Sequence, residues 1–251
     1  SPMFARMQVN RVWFHLIGRG LVDPVDDFRS SNPATHPEVL ERLSEEFVKN
    51  RYSLRHVIRT IMNSKVYQLS SEPNETNGED ETFHSRALVR RLTAEQIADS
   101  LAQATGAPLE IENYPAGTRL AQMAEGRKHY RPLKTDLDRF NATFGKPPRL
   151  ITSECERSNE LAMPQAFQLI SGPLVQGALT RKNNRIEALL TSGKHELEMV
   201  DELFWSTLSR APSTRELDRF ASLLMNASDR RKVTEDLLWA LLNSKEFLFQ
   251  R

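Results

Sequence analysis

The chain has 251 residues, of which 39% are apolar and 27% are charged, and its net charge is +1. This composition is typical of a folded globular protein and excludes a disordered chain. The balanced charge gives no polyanion-binding signature, so we expect no nucleic-acid partner. No apolar run approaches the roughly 20 residues of a membrane span. The single cysteine, Cys155, excludes an internal disulfide, a haem attachment motif and a multi-cysteine zinc site.

The first predicted helix runs from about Pro2 to Ile17. Its apolar residues recur at helical spacing, and Gly18 and Gly20 are expected to end it. Because the chain opens on Ser-Pro-Met with this helix already under way, we expect it to be a piece of a longer protein.

A polar loop follows, and its prolines keep it out of helix. Thr35 or His36 is expected to cap a second helix that begins at Pro37 and ends near Phe47. Ser53 is expected to cap a third helix, which carries the strongest apolar repeat of the chain. The residues of that repeat are Leu54, Val57, Ile58, Ile61, Met62 and Val66.

Residues 70–80 are rich in Ser, Glu, Asn and Gly and predict an exposed loop. A helix is expected to resume near His84 and to stop at Gly106, with Thr93 and Gln96 forming a capping box. Residues 107–158 have scattered prolines and no sustained period. They predict a long irregular excursion with at most short helices. Over residues 107–150 it is expected to lie across the helical core and to be its most mobile part, because it lacks periodic apolar residues to bury.

The rest of the chain again reads as helices. They are expected over residues 159–171 and 173–180, over a short stretch from Ile186, from Glu196 to Leu208, after a capping box of Ser213 and Glu216, and from Val233 to Phe249. We therefore predict one all-α domain over residues 1–251. Its expected parts are a helical unit (1–69), a helix with an irregular insertion (70–158), connecting helices (159–192) and a second helical unit (193–251).

The two helical units resemble each other. Residues 11–19 align without a gap on residues 202–210, and each stretch is followed by a proline-containing turn and a capped helix. Each unit then ends with Asn-Ser-Lys shortly before an aromatic residue, at residues 63–67 and 243–247. Shared helical periodicity explains part of the match but not the repeated Asn-Ser-Lys, so we predict an internal duplication of three helices. The first copy has the longer and more acidic turn.

Several separated motifs resemble one family. They are Arg-Val-Trp-Phe-His-Leu-Ile-Gly-Arg-Gly-Leu-Val (11–22), Asp-Asp-Phe-Arg-Ser-Ser-Asn-Pro (26–33), His-Pro-Glu-Val-Leu (36–40), Cys-Glu-Arg-Ser (155–158) and Leu-Leu-Asn-Ser-Lys-Glu-Phe (241–247). The family is the planctomycete-type domain of unknown function DUF1553, also called PSD1. The resemblance implies the C-terminal part of a large exported protein, often with a cytochrome-c-like domain. It therefore implies an extracytoplasmic location, and neighbouring domains of the same protein as partners.

The loop after the first helix holds the first candidate site. Asp23, Asp26 and Asp27 with His36 fit a hard-cation site or an acid–base pair. They also fit a structural corner in which the acids cap the second helix and pair with Arg19 and Arg29. We favour the corner, and we expect Arg19 or Arg157 to lie within salt-bridge reach of Asp26 or Asp27, because clustered acids need counter-charge.

The second candidate segment is residues 154–157. Glu154, Glu156 and Arg157 surround Cys155, which is interpreted as a packing residue and not as a nucleophile. Arg157 is expected to pair with Asp26 or Asp27; binding of an anionic sugar is the alternative.

No complete catalytic or metal-binding motif is present, so we predict no metal and no cofactor. The three tryptophans, Trp13, Trp205 and Trp239, lie on apolar helix faces and are expected to pack in the core. The favoured hypothesis is a non-catalytic helical binding or assembly domain. The alternative is an enzyme domain that acts on acidic or sulfated glycans.

Overall fold

The computed structural model describes residues 1–123, 135–146 and 163–250. These residues form two compact units, one of residues 1–90 and one that begins at Arg91 and ends at Gln250. Helices dominate both units, and the regular β-structure of the described residues is one two-stranded sheet, made by Arg90–Arg91 and Phe249–Gln250. The predicted all-α class is confirmed.

The first unit is built on three mutually contacting helices: α1 (Pro2–Ile17), α2 (Pro37–Lys49) and α3 (Leu54–Met62). The predicted ends of α1 and the predicted cap of α3 are confirmed: Gly18 is left-handed, and the Ser53 hydroxyl accepts from the His56 N–H. His36 occupies the cap position of α2 but makes no side-chain capping bond. The core of the unit is Ala5, Val9, Trp13, Leu21, Val22, Leu40, Leu43, Phe47, Val57 and Ile61.

The second unit contains the remaining helices. They are α4 (Ala94–Thr105), α5 (Asp136–Thr143), α6 (Met163–Ser171), α7 (Pro173–Thr180), α8 (Arg185–Thr191), α9 (Glu196–Leu208), α10 (Thr214–Met225), α11 (Arg230–Leu242) and α12 (Lys245–Leu248). A single 3-10 turn covers Leu120–Gln122. The capping boxes predicted at Thr93 and at Ser213 are both present.

The predicted helix from His84 onward is wrong for its first ten residues, since α4 begins at Ala94. The carboxylate of Asp80 accepts from the backbone N–H groups of Thr82, Phe83 and Ser85, and His84 has a positive φ of 58°. Side-chain bonds of this kind give the backbone an alternative to the helix. They also hold the pKa of Asp80 well below its usual range, the bond from the Phe83 N–H most strongly.

The last predicted helix is two helices. Asn243 ends α11, and the hydroxyl of Ser244 accepts from the Phe247 N–H at 3.2 Å to start α12. The serine in the second copy of Asn-Ser-Lys, Ser244, is therefore an N-cap. An N-cap favours the start of a new helix, α12, over continuation of α11.

The predicted irregular excursion holds for residues 107–123, and α5 is one short helix within it. The described part has no sustained apolar period, but it does bury individual apolar side chains. Leu109, Leu120, Phe140 and Phe144 belong to the core of the second unit, and the two phenylalanine rings stack at 4.4 Å. Residues 124–134 and 147–162 lie outside the described residues.

Trp205 departs from the expectation of core packing, whereas the partly buried Trp239 packs against the core of the second unit. Trp13 is buried, but Trp205 is 53% exposed. Trp239 is half-buried and donates from Nε1 to the Ile170 carbonyl at 3.0 Å. Periodicity placed Trp205 on the apolar face of α9, but the face that packs is set by Met199, Val200, Leu203 and Phe204.

Local details of the two three-helix sets agree at the aligned positions. Gly18 and Ser209 both end a helix in the left-handed conformation, and each N–H bonds to a carbonyl four residues earlier. Asn63 and Asn243 end the third helices in the same way, and the hydroxyls of Ser64 and Ser244 each accept from the N–H three residues later. In each set all three helix pairs are in contact. These features support the predicted duplication.

Candidate functional site

The polar loop between α1 and α2, residues 18–36, is organised around Asn10, a fully buried residue of α1. Its Nδ2 donates to the carbonyls of Val22 and Val25 at 2.8 and 2.9 Å, and its Oδ1 accepts from the Val22 N–H at 3.0 Å. One side chain thus satisfies three buried backbone groups of the loop. The sequence analysis missed this role because an asparagine in a helix carries no pattern that marks it.

Gly18 is required by its positive φ of 99°, and Gly20 is required by the close approach of the backbone. A Cβ on Gly20 would lie 2.2 Å from the Val22 carbonyl oxygen, so a side chain there is excluded. A Cβ on Gly18 would meet the Cδ of Arg90 at 2.9 Å. The Arg90 guanidinium donates to the carbonyls of His15 and Leu16, at 2.8 and 2.7 Å, at the end of α1. Burial lowers the pKa of Arg90.

Each acid of the loop has its own arginine. Asp26 pairs with Arg11 at 2.9 Å, and both side chains are partly buried. The other two pairs are Arg19 with Asp23 at 3.3 Å and Arg29 with Asp27 at 2.6 Å. Arg19 therefore pairs with Asp23 and not with Asp26 or Asp27, and the other expected partner, Arg157, lies outside the described residues. Arg11, one helical turn inside α1, reaches Asp26 instead.

The Asp27 pair is local and lies at the surface. The Arg29 guanidinium donates two bonds to the Asp27 carboxylate, and these bonds are the first cause that lowers the pKa of Asp27 and raises that of Arg29. Asn32 ties the same turn together by donating from Nδ2 to the carbonyls of Asp23 and Asp27. Each carboxylate of the loop is thus paired with an arginine. No group of three or more metal-ligating side chains occurs among the described residues.

His36 contacts a different set of residues. Its Nε2 lies 3.1 Å from the carbonyl of Phe83, and its ring centre lies 5.9 Å from that of His84. His84 in turn meets the Trp13 ring edge to face at 5.5 Å. His36 therefore belongs to an aromatic cluster with Trp13, Phe83 and His84, which we call the histidine cluster.

The histidine cluster lines one end of an open groove of about 790 Å³ in the first unit. Leu43 and Ile61 form part of its floor. Its edge on α2 is mainly acidic, with Glu38, Glu41 and Glu45 against Arg42.

Two polar groups of the histidine cluster are buried without hydrogen bonds. Neither ring nitrogen of His84 nor the Nε1 of Trp13 has a partner among the described residues. Burial, followed by the nearby charge of His36, lowers the pKa of His84, so the neutral imidazole is favoured. No sequence pattern marked His84 as a candidate residue. Its position is fixed by the turn in which Asp80 accepts from the N–H groups on either side of it, so Asp80 is the residue that could have indicated it.

The second candidate segment lies outside the described residues. Glu154, Cys155, Glu156 and Arg157 all fall in residues 147–162, so the expected pairing of Arg157 and the packing role of Cys155 stay predictions. A search of the described helices finds none that is both long and apolar enough to span a membrane.

Comparison with known proteins gives one family and no individual relative. No curated protein and no solved structure matches the chain. Residues 1–224 match the family PSD1, described as a protein of unknown function (DUF1553). This match covers most of the 251 residues. It includes the acidic loop, the histidine cluster, the first three-helix set, α9 and all of α10 except its last residue. The chain therefore belongs to the DUF1553 family of proteins of unknown function.

Proposed function

We propose that this chain is a non-catalytic helical binding or assembly domain of an exported multidomain protein. One observation carries the proposal: the acidic loop is built as a structural corner. Asp23, Asp26 and Asp27 each face an arginine, and Asn10 satisfies the backbone of the loop from beneath. The hydrogen-bonding capacity of these side chains is thus used inside the loop, which is what a structural corner requires.

Apolar surface in the first unit supports binding over catalysis. Large apolar side chains are exposed on α3 and in the segment that follows it. A polar-rimmed apolar surface on a folded domain is a common mark of a protein interface. The expected partners are other domains of the full-length protein, of which a cytochrome-c-like domain is one, and the expected location is extracytoplasmic; both rest on the family resemblance.

An enzyme acting on acidic or sulfated glycans is the alternative. The groove at the histidine cluster does not favour it, because Glu38, Glu41 and Glu45 on its edge would repel an anionic sugar. A glycan activity would have to rely on residues of the undescribed segment 147–162.

The test combines a reaction screen with cross-linking. The purified chain is incubated with sulfated, acidic and neutral oligosaccharides in the presence of redox acceptors, and products are compared with those of heat-unfolded protein. We expect no turnover above this control. In parallel, the full-length protein is treated with a lysine cross-linker and digested for mass spectrometry. Cross-links from Lys49 or Lys65 to other domains are expected. Turnover above this control that either Asp26→Asn or Glu154→Gln abolishes without lowering the melting temperature would overturn the proposal.

A further inference from the structure

The helix α3 carries an apolar face that nothing covers in the described residues. Val57 and Ile61 point into the core and are 1% exposed. Leu54, Ile58 and Met62 follow one another at every fourth position and are 47%, 37% and 42% exposed. Spacing of four residues places them on one face of the helix. We call Leu54, Ile58, Met62 and the nearby Tyr67 the α3 face.

The duplicated unit shows the same face covered. The alignment that pairs Asn63 with Asn243 also pairs Ile58 with Leu238 and Met62 with Leu242. Leu238 is 0% exposed and Leu242 is 1% exposed. Tyr67 and Leu54, exposed in the first unit, align with Phe247 and Thr234, which are both buried. The two third helices thus share one apolar face, and the difference between them is whether something packs on it.

Helices cover the face in the second unit. Outside its own three-helix set and the adjoining α12, α11 contacts α7 and α8, which are short helices with buried Val175, Leu179, Ile186 and Leu189. The described part of the first unit has no counterpart of α7 and α8. The chain therefore contains its own example of what an occupant of the α3 face looks like: a short helical segment with an apolar stripe.

The charges at the edge of the α3 face differ from those around α11. Arg55 and Arg59 lie beside the apolar stripe, both are exposed, and α3 has no acidic residue. Glu235 of α11 takes the aligned place of Arg55 and pairs with Arg231. Since neither Arg55 nor Arg59 has an ion pair within the described residues, an occupant with acidic edges would complete both. Two copies of the α3 face placed together would instead oppose their arginines.

We propose that the α3 face docks an amphipathic helix from a partner polypeptide, with an apolar stripe edged by acidic residues. This inference rests on the proposed assembly function and names the surface and the partner chemistry. The apolar stripe fills the place that α7 and α8 fill on α11, and the acidic edges pair with Arg55 and Arg59. A helix laid into an apolar groove or face at spacings of three and four is a recurring mode of recognition.

The experiment uses two synthetic peptides and the chain itself. Both peptides are held helical by a side-chain staple and carry leucines at i, i+4 and i+7; one is edged by glutamates and the other by lysines at the same positions. Binding is measured by fluorescence anisotropy. The Glu peptide is expected to bind with a Kd on the order of micromolar, and the Lys peptide at least about tenfold more weakly, because like charges oppose docking.

Three variants of the chain locate the binding. Ile58→Ser with Met62→Ser is expected to abolish binding of the Glu peptide. Arg55→Glu with Arg59→Glu is expected to reverse the preference toward the Lys peptide. Leu223→Ser with Met225→Ser changes two exposed apolar residues of α10 and is the matched control, which should bind as the unaltered chain does. All six positions are exposed, and circular dichroism checks that each variant is folded.

Other occupants have their own outcomes. Concentration-dependent association in sedimentation equilibrium that Ile58→Ser with Met62→Ser removes would assign the face to a second copy and overturn the proposal. Co-sedimentation with phosphatidylcholine–phosphatidylglycerol vesicles that the same variant removes would assign it to lipid, also against the proposal. Equal binding of both peptides, or of neither, would overturn it as well. If the peptides fail while turnover is absent and cross-links to other domains persist, the assembly function stands and the α3 face is wrong.

Discussion

At the scale of single residues, the buried side-chain amide of Asn10 makes three hydrogen bonds to the backbone of the polar loop. Replacing it by leucine would leave the Val22 N–H and the carbonyls of Val22 and Val25 without partners. Each unsatisfied buried group costs about 1–3 kcal/mol, so Asn10→Leu should lower the free energy of unfolding by at least about 3 kcal/mol. Chemical denaturation measures the change. Gln8→Leu, on the same helix, is the control, and an equal loss in both variants would contradict the role of Asn10.

The two ion pairs of Asp26 and Asp27 should differ in their effect on stability. Arg11 and Asp26 are both partly buried, whereas the side chain of Arg29 is 76% exposed and stays hydrated when Asp27 is removed. We expect Asp26→Ala to cost about 1 kcal/mol and Asp27→Ala to cost less than that. A double-mutant cycle between Arg11 and Asp26 measures their coupling by denaturation. A coupling of zero would show that the corner does not depend on this pair.

The pH dependence of stability should report His84. Its folded-state pKa is lowered, so the unfolded chain binds a proton more readily than the folded chain. The free energy of unfolding should therefore fall as the pH is lowered through the unfolded value of about 6.5 toward the lower folded value, and be unaffected by this group at higher pH. His84→Asn tolerates the left-handed backbone and removes the titrating group. Denaturation at several pH values should show a shallower acid-side slope for this variant; an identical slope would contradict the prediction.

Sequence patterns predicted some of the important residues and missed others. The acidic residues were identified as a cluster because they lie close together in the chain, but their partners were not, since Arg11 is 15 positions from Asp26. His84 and Asn10 were missed for the same reason: burial and orientation are decided by tertiary packing, which a local pattern does not contain.

At the scale of helices, Arg210 joins three elements of the second unit. Its guanidinium bonds to Glu216 at the start of α10 and to Glu246 in α12, and it lies over the ring of Phe204 in α9. The bonds from Arg210 lower the pKa of Glu216 to about 2. Arg210→Gln should lower the free energy of unfolding by about 1 kcal/mol, discounted for the solvent exposure of the pairs. The exposed Arg215→Gln is the control in thermal or denaturant unfolding; an equal effect of both changes would contradict the joining role.

Helix starts were easier to predict than helix ends. The capping residues Ser53, Thr93 and Ser213 were identified because a cap is a local hydrogen bond between residues three apart. The end of α11 was missed because apolar residues resume past Asn243 with Phe247 and Leu248, and the break is made by Ser244. Periodicity likewise identified the apolar side of α3 without showing which part of it would be buried.

At the scale of the whole molecule, the exposed loop 71–79 is the expected site of first proteolytic attack. A glutamate-specific protease should cut at Glu72, Glu75 or Glu79 before it cuts at Glu95, which is buried on α4. Mass spectrometry of the early fragments identifies the order. Cleavage at Glu95 first would show that α4 opens before the loop is cut.

The class of the fold followed from the sequence because amphipathic helices were repeated along the whole chain. The expected division after residue 69 was inferred from the same pattern, whereas the first compact unit extends to residue 90. Residues 70–90 carry few periodic apolar residues, so periodicity could not assign them to either side. They join the first unit through the hydrogen bonds of Arg90 to the end of α1 and through the ring contact of His84 with Trp13.

The bonds from Arg90 to the end of α1 also determine how much of the chain must be synthesised before these contacts of the first unit can form. The carbonyls of His15 and Leu16 leave the ribosome some 75 residues before the guanidinium that binds them. Until Arg90 emerges, the nascent three-helix set has an open helix end, and the buried face of Trp13 lacks the His84 ring. A nascent chain stalled after residue 69 would hold all three helices yet lack these contacts, whereas one stalled far enough beyond residue 90 would hold both the Arg90 guanidinium and the His84 ring.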